Sequence, residues 1–188
     1  MINATRNARV KIKNLYHSRI VPGNAAEDVA RAKSYLEWID VKTETIINEN
    51  TFTLPTGITL VQGMQIRRPA NPNEKLVQRG TVLWMDFGEN IGQEFSGRHP
   101  GLILKIGGQT AIVVPLSSQT PTTAQLQSGI YAKIDHVYNF TPMTRWANVL
   151  NTTALSIQRF HFTSFGNVKG TVLDNVKTAM RASKVFGN

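Results

Sequence analysis

The spacing of hydrophobic residues changes from a helical period to a strand period along the chain. Between residues 25 and 47, apolar side chains recur at about every third or fourth position, which predicts an amphipathic helix. From Gly80 onward the apolar runs are short and are separated by turn residues. These runs predict strands at 80–88, 101–107, 109–117, 129–135 and about 153–162. A second helical pattern predicts a helix over 171–184.

The strand-rich region predicts a small closed barrel. Ile106-Gly-Gly-Gln109 is a tight hairpin signal between two apolar runs. Several short strands with tight turns suit a barrel, because closure removes exposed sheet edges. The predicted fold is therefore mainly β, a small SH3-like β-barrel with a C-terminal helix, preceded by an N-terminal helical extension.

Three segments are predicted along the chain. Between the first helix and the barrel, residues 51–54 and 58–61 flank the turn residues Pro55-Thr-Gly57 and predict a short hairpin. Residues 66–79 have the mixed polar character of a linker. The division is a basic flexible arm, a helical and hairpin extension, and a barrel domain, at 1–23, 24–75 and 76–188.

Composition excludes several kinds of chemistry and favours an anionic partner. The 188 residues include no cysteine, which excludes disulfides, thiolate metal sites and cysteine nucleophiles. Neither a secretory signal nor a membrane-spanning run is visible, so we expect a soluble cytoplasmic protein. The formal charge is +9, of which residues 1–20 contribute five basic side chains and no acid. Such an arm attracts nucleic acid without recognising a sequence.

The candidate chemistry lies at the ends of two predicted strands. A strand from Arg79 to Gly88 leads into the loop Gly92-Gln-Glu-Phe-Ser-Gly-Arg-His-Pro100, which holds a carboxylate, a guanidinium and an imidazole. The apolar run from Ala111 to Leu116 then ends in Ser117-Ser118-Gln119. Cations, an imidazole and hydroxyls delivered by neighbouring strands can surround a phosphodiester. Because no Gly-x-Ser-x-Gly sequence occurs, a serine-hydrolase elbow is not indicated.

This order of parts resembles the PemK/MazF family of toxin ribonucleases over residues of about 76–188. The family pattern is an apolar strand ending in Asp-Phe, a Gly-x-Glu-x-x-Gly-x-Arg-Pro loop, a second apolar strand, and a turn with hydroxyl residues. Asp86-Phe87, the loop ending at Pro100, and Pro115-Leu-Ser-Ser118 match it. The resemblance implies a metal-independent endoribonuclease without a cofactor, which cleaves single-stranded RNA by 2′-hydroxyl attack. It also implies a homodimer that a cognate antitoxin neutralises.

The resemblance also assigns site residues. His99 stands directly before Pro100, where the family keeps its catalytic arginine, and Arg98 stands one position earlier. Either His99 takes that position, or the loop brings Arg98 to the phosphate. The implied catalytic set is Glu94, Arg98, His99, Ser117, Arg159 and His161. The predicted RNA contacts are Gln93, Phe95, Ser118 and Gln119.

Two other functions stay open at this point. A catalytically inactive barrel that binds nucleic acid would also fit, because the Arg-His order departs from the family pattern. A toxin that poisons a topoisomerase through protein contact would not need the cationic loop. A metal site is disfavoured, because the histidines and carboxylates lack ligand spacing.

Overall fold

The chain forms two compact units, residues Met1–Phe52 and Thr53–Asn188. The computed structural model describes residues 26–47, 51–90 and 95–184, together with positions 6, 7, 10, 11 and 14. Within the first unit, helix α1 spans Ala26–Ile47, as the helical period predicts. Most of the predicted basic arm at 1–23, and the site residues Gln93 and Glu94, lie outside the described residues.

The second unit contains the strands. They are β1 Ile58–Leu60, β2 Lys75–Val77, β3 Thr81–Asp86, β4 Arg98–Gly107, β5 Thr110–Ser117, β6 Tyr131–Ile134, β7 Arg145–Asn148, β8 Thr153–Ser156 and β9 Phe160–Asn167. Its helices are α2 Thr123–Gln127 and α3 Gly170–Ala182, with 3-10 helices at Val149–Asn151 and Ile157–Arg159. None of the helices in the part of the chain that the structure describes is long and apolar enough to cross a bilayer.

A seven-stranded antiparallel sheet dominates this unit. Its order is β6-β7-β5-β4-β3-β9, with β8 also paired to β5. Strands β4 and β5 form the hairpin predicted from the Gly-Gly signal, and Gly108 takes a φ of 62° in its turn. The order ends at β6 and β9, and an isolated bridge between Tyr138 and Asn167 links the chain beyond β6 to β9. The mainly β architecture with a C-terminal helix is confirmed. Among the described strands the sheet is not closed into a barrel, and the SH3-like detail stays a prediction.

The two faces of the sheet have different surroundings. We call the first the helix face. There Val82, Leu102 and Val114 share a core cluster with Leu173 and Val176 of α3. These two helix positions are three residues apart, which places them on the same side of α3. The other face, the pocket face, contains Leu83, Gly101, Ile103, Val113 and Pro115, because side chains alternate along each strand.

The hairpin predicted between 51–54 and 58–61 is wrong. The turn forms, with Ile58 N–H donating to the Pro55 carbonyl at 3.2 Å, but β1 pairs in parallel with β2. Alternation in a short segment indicates a strand without specifying its partner. The pairing places residues 58–77 within the second compact unit, which begins at Thr53.

Candidate active site

The ends of β3 and β4 place neighbouring loop residues on opposite faces of the sheet. Asp86 is directly opposite Arg98, and Met85 is directly opposite His99. Residues opposite each other in an antiparallel pair share a face, whereas consecutive residues alternate. Arg98 therefore joins Asp86 on the helix face, and His99 joins Met85 on the pocket face.

Asp86 contacts two of the predicted site residues. Its Oδ1 accepts a hydrogen bond from Arg98 Nε at 3.2 Å, and its Oδ2 lies 2.7 Å from His161 Nε2. The Arg98 side chain is 59% exposed, while those of Asp86 and His161 are 25% and 29% exposed. One carboxylate thus holds the guanidinium and the imidazole in a partly buried cluster.

His99 lies against an aromatic ring. Its ring centroid is 4.4 Å from that of Phe95, and the planes are tilted by 63°. Burial lowers the pKa of His99 below its ordinary value, and a hydrogen bond with the backbone of Ser96 opposes this shift. The neutral imidazole is therefore the favoured form at neutral pH, and this form can accept a proton.

Backbone and side-chain hydrogen bonds fix the position of Phe95. Phe87 N–H donates to the Gly97 carbonyl at 2.9 Å, and Gly97 N–H donates to the Gly88 carbonyl at 2.7 Å. The Asn90 side chain donates to the Phe95 carbonyl at 2.7 Å. The two ends of the 87–97 loop are thus tied together next to His99.

Two adjoining pockets open beside Phe95. The first, the arginine pocket, has a volume of about 350 Å³ and is lined by residues that include Phe87, Asn90, Phe95, Asn151 and Arg159. The second, the amide pocket, has a volume of about 340 Å³ and is lined by residues that include Phe95, Ser117, Gln119, Tyr131, Trp146, Asn148 and Asn151. Phe95 and Asn151 line both pockets, so the two pockets are neighbours.

Arg159 gives the arginine pocket a positive charge. Burial lowers its pKa, and the negative charge of Asp86 opposes that shift. An arginine guanidinium stays protonated in proteins because its unperturbed pKa is so high. A partly desolvated guanidinium in a depression of this size is suited to a phosphate group.

Ser117 brings a hydroxyl to the amide pocket on the same face as His99. Gly101 is opposite Pro115, so alternation along each strand places His99 and Ser117 on the same face as this pair. The Ser117 Oγ accepts a hydrogen bond from the Gln119 N–H at 3.0 Å, which leaves its own hydrogen free to donate. His99 and Ser117 therefore both lie on the pocket face, and Ser117 lines the amide pocket.

The predicted residues are thus divided between two places. His99, Ser117, Phe95, Gln119 and Arg159 belong to the pockets or contact them. Arg98 and His161 converge on Asp86, and Ser118 is an exposed bend residue outside both linings.

Several residues of this arrangement were not predicted as site residues. The sequence pattern marks Asp86 only as the end of a strand. Aligning β3 with β4 places Asp86 directly opposite Arg98. Trp146 and Asn148 lie on β7, a strand that the sequence pattern did not predict. Their alternation with the buried residues Arg145 and Ala147 was the available signal.

Metal-ligating side chains are sparse in the part of the chain that can be described. Within residues 26–47, 51–90 and 95–184, no group of three or more His, Asp or Glu side chains is placed to hold a metal ion. The side chains in or beside the two pockets include an imidazole, a guanidinium and a hydroxyl.

Comparison with known proteins gives a family match. The profile of PemK-like, MazF-like toxins of type II toxin-antitoxin systems matches residues 78–183, more than half of the chain. No curated protein matches the chain.

Solved structures give weaker similarities. One is an endoribonuclease in complex with its cognate antitoxin from a mycobacterial species, with 18% identity, 57% of this chain and 94% of that chain covered, and a TM-score of 0.43. Another is MazF from Deinococcus radiodurans, with 15% identity, 55% and 92% coverage, and a TM-score of 0.45. A third is the Mycobacterium tuberculosis toxin MazF-mt6, with 12% identity, 55% and 95% coverage, and a TM-score of 0.41.

Proposed function

We propose, since the chain belongs to the family of PemK-like, MazF-like toxins of type II toxin-antitoxin systems, that it is an endoribonuclease that cleaves single-stranded RNA. The observation that carries the proposal is that Ser117 lines the amide pocket and Arg159 lines the neighbouring arginine pocket, while His99 packs against Phe95, which lines both. These groups supply a proton acceptor, a hydrogen-bond donor and a fixed positive charge, which phosphodiester cleavage requires.

The proposed reaction uses the nucleophile of the RNA itself. The 2′-hydroxyl oxygen forms a bond to the adjacent phosphorus, and the bond from phosphorus to the 5′ oxygen breaks. Neutral His99 accepts the 2′ proton, and a second group donates a proton to the leaving 5′ oxygen. Arg159 stabilises the charge that develops on the phosphorane, while Ser117 positions the phosphate. The products are a cyclic phosphate and a 5′-hydroxyl end.

The second proton carrier is Glu94 or His161, and Arg98 is a further charge stabiliser. His161 and Arg98 both contact Asp86, whose negative charge also acts on Arg159. Through this carboxylate, the cluster on the helix face is electrostatically connected to the arginine pocket. Among the predicted RNA contacts, Phe95 and Gln119 line the amide pocket. Gln93 stands two residues before Phe95, and Ser118 directly precedes Gln119.

The proposal extends to the assembly and its control. The protein acts in the cytoplasm as a homodimer with the RNA lying across it, and a cognate antitoxin protein neutralises it. The SH3-like barrel is part of this proposal, and the Tyr138–Asn167 bridge places the chain beyond β6 next to β9. Metal independence is likewise part of the proposal and is tested with a chelator.

The test is cleavage of one defined RNA, single-stranded or annealed to its complement, by purified protein in EDTA. We expect cleavage of the single strand with a 2′,3′-cyclic phosphate product, and no cleavage of the duplex. Cleavage that disappears with chelator and returns with Mg²⁺ would contradict the mechanism. Binding of RNA without cleavage would identify an inactive nucleic-acid-binding barrel, and neither binding nor cleavage would favour a toxin acting by protein contact on a topoisomerase.

A further inference from the structure

Helix α1 carries a repeating pattern that the proposed active site does not use. Residues that are mostly apolar recur along it at alternating intervals of three and four, at Val29, Ala32, Leu36, Ile39, Thr43 and Ile46. We call these six positions the heptad stripe, because the alternation is that of the a and d positions of a coiled coil. The helix has 22 residues and a length of about 33 Å, which accommodates roughly three heptads.

The heptad stripe is incompletely covered in a single copy of the chain. No side chain of α1 that the structure describes is buried, and Ile46 is 59% exposed at one end of the stripe. Leu36 and Ile39, in the middle, are partly exposed. A helix in water owes most of its stability to the packing of its apolar face. The stripe therefore has apolar surface left for a partner.

Thr43 is polar, yet its hydroxyl does not oppose packing. Its Oγ1 donates a hydrogen bond to the Ile39 carbonyl at 2.7 Å. A hydroxyl that bonds to the preceding turn of its own helix is already satisfied, so the methyl group can face a neighbouring helix without leaving a donor unpaired. Thr43 can thus occupy a core position of a helix pair.

The stripe is complementary to itself when a second helix runs in the opposite direction. A twofold axis between residues 37 and 38 makes each stripe position meet a different stripe position of the second copy. The resulting layers pair Leu36 with Ile39, Ala32 with Thr43, and Val29 with Ile46. Each layer recurs on the other side of the axis, as an interface between identical chains requires.

The charges beside the stripe favour this antiparallel orientation. Lys33 and Asp40 each directly follow a d position, so the same axis brings Lys33 of one copy next to Asp40 of the other, twice in the pair. Within its own helix, Lys33 lies 3.8 Å from Glu37, and these two side chains are 74% and 68% exposed. Such an exposed ion pair is weak, so Lys33 can turn to a second carboxylate at little cost.

On the other edge of the stripe, Tyr35 and Lys42 each directly precede an a position. The antiparallel pair places Lys42 next to the ring of Tyr35 of the second copy, where an ammonium group and an aromatic face attract each other. A parallel pair would place Lys42 next to Ile47 instead.

We propose that α1 is a self-association surface, which pairs with α1 of a second copy of this chain as an antiparallel two-stranded coiled coil. The inference does not depend on the proposed ribonuclease function, because α1 lies outside residues 78–183, which match the toxin family. It adds a contact between copies in a part of the chain that the family pattern does not cover.

The principal experiment is cysteine cross-linking of the full chain, which contains no cysteine of its own. Val29→Cys combined with Ile46→Cys introduces two thiols that are about 26 Å apart within one helix, so a disulfide forms between them only across two copies. Ser34→Cys combined with Val41→Cys is the matched control. These two positions have the same relation to the twofold axis but lie on the side of the helix away from the stripe.

We expect mild oxidation to give a covalent dimer of the Val29/Ile46 double variant on a non-reducing gel. The control, and each single variant, should give at least about fivefold less. A dimer from Val29→Cys alone would demonstrate a parallel pair and overturn the proposal. Equal cross-linking in the control would indicate proximity without a defined face. No cross-linking in any variant, with melting temperatures near that of wild type, would indicate that the stripe packs within its own chain. Either of these results also overturns the proposal.

A charge exchange in the Val29/Ile46 cysteine background tests the orientation independently of any contact between the barrels. Lys33→Glu should lower the initial rate of cross-linking by about three- to tenfold at low salt, because it places carboxylates together at two points of the pair. Adding Asp40→Lys restores opposite charges across the interface, so the rate should return to that of the background. A rate that Lys33→Glu leaves unchanged at low salt would overturn the proposed register.

Discussion

Arg98 and His99 are adjacent in sequence, yet they occupy different environments on the two faces of one sheet. Arg98 contacts a carboxylate and is 59% exposed. His99 packs against Phe95 on the other face, which also carries Ser117. Strand alternation therefore separates two residues that a motif presents as a single chemical group.

The electrostatic consequences of the two environments also differ. On the helix face, the charge of Asp86 compensates that of Arg98, so this cluster is partly neutralised before any ligand arrives. On the pocket face, burial lowers the pKa of His99. A neutral, partly desolvated imidazole can accept a proton, whereas an ion-paired guanidinium contributes to the stability of the structure.

The largest expected effect follows from that difference. His99→Ala should lower the single-turnover rate of RNA cleavage by about 10²–10⁴-fold, because it removes a proton-transferring group. The wild-type rate should fall as the pH drops through the lowered pKa of His99, below about 6.5, since imidazolium cannot accept a proton. The variant should lack this acidic limb. The measurement is single-turnover cleavage of one defined RNA between pH 5 and 9.

Arg98→Ala is the matched comparison, because it truncates the neighbouring residue on the opposite face. It should lower the rate less than His99→Ala and keep the acidic limb, since guanidinium does not titrate in this range. A dead Arg98→Ala together with a His99→Ala of wild-type activity would reverse the assignment and identify Arg98 as the arginine that the family pattern requires.

The sequence predicted the elements of the fold better than it predicted the site. Apolar runs found β3, β4, β5 and α3 because these elements contribute the core that packs between sheet and helix. Strand β7 was missed, since its inward residues are Arg145 and Ala147 and its pocket residues are Trp146 and Asn148. A strand that lines a polar pocket on one face carries little hydrophobic signal.

The site was predicted in composition but not in arrangement. The continuous strand predicted at about 153–162, which would place Ile157, Arg159 and His161 on one face, is wrong. A 3-10 helix at Ile157–Arg159 interrupts the alternation, so Arg159 lines the arginine pocket while His161 contacts Asp86. The Ser156 side chain accepts from the Gln158 N–H at 3.4 Å, a local cap that a period-two pattern does not reveal.

An intermediate effect should come from the packing beneath His99. A Cβ at Gly101 would collide with Met85 Sδ and lie 3.2 Å from Phe87 Cζ on the pocket face. Gly101→Ala should therefore destabilise the fold by about 1–3 kcal/mol, the typical cost of overpacking. Gly107→Ala is the control on the same strand, because nothing lies within 4 Å of its Cβ position. Urea unfolding of both variants measures the difference, and equal stabilities would show that the pocket face is loosely packed.

The smallest expected effect lies on the helix face, in the pair formed by Arg98 and Asp86. The arginine side chain is 59% exposed, so water and salt screen its attraction to the carboxylate. A double-mutant cycle with Arg98→Gln and Asp86→Asn should give a coupling free energy of unfolding of about 0.2–1 kcal/mol, which decreases with added salt. The cycle subtracts the separate loss of the His161 contact, because Asp86→Asn occurs both alone and in the double variant. A coupling well above this range that is insensitive to salt would mean that the cluster is desolvated in solution. Arg98 would then be as desolvated as His99, and exposure to solvent would not distinguish the two faces.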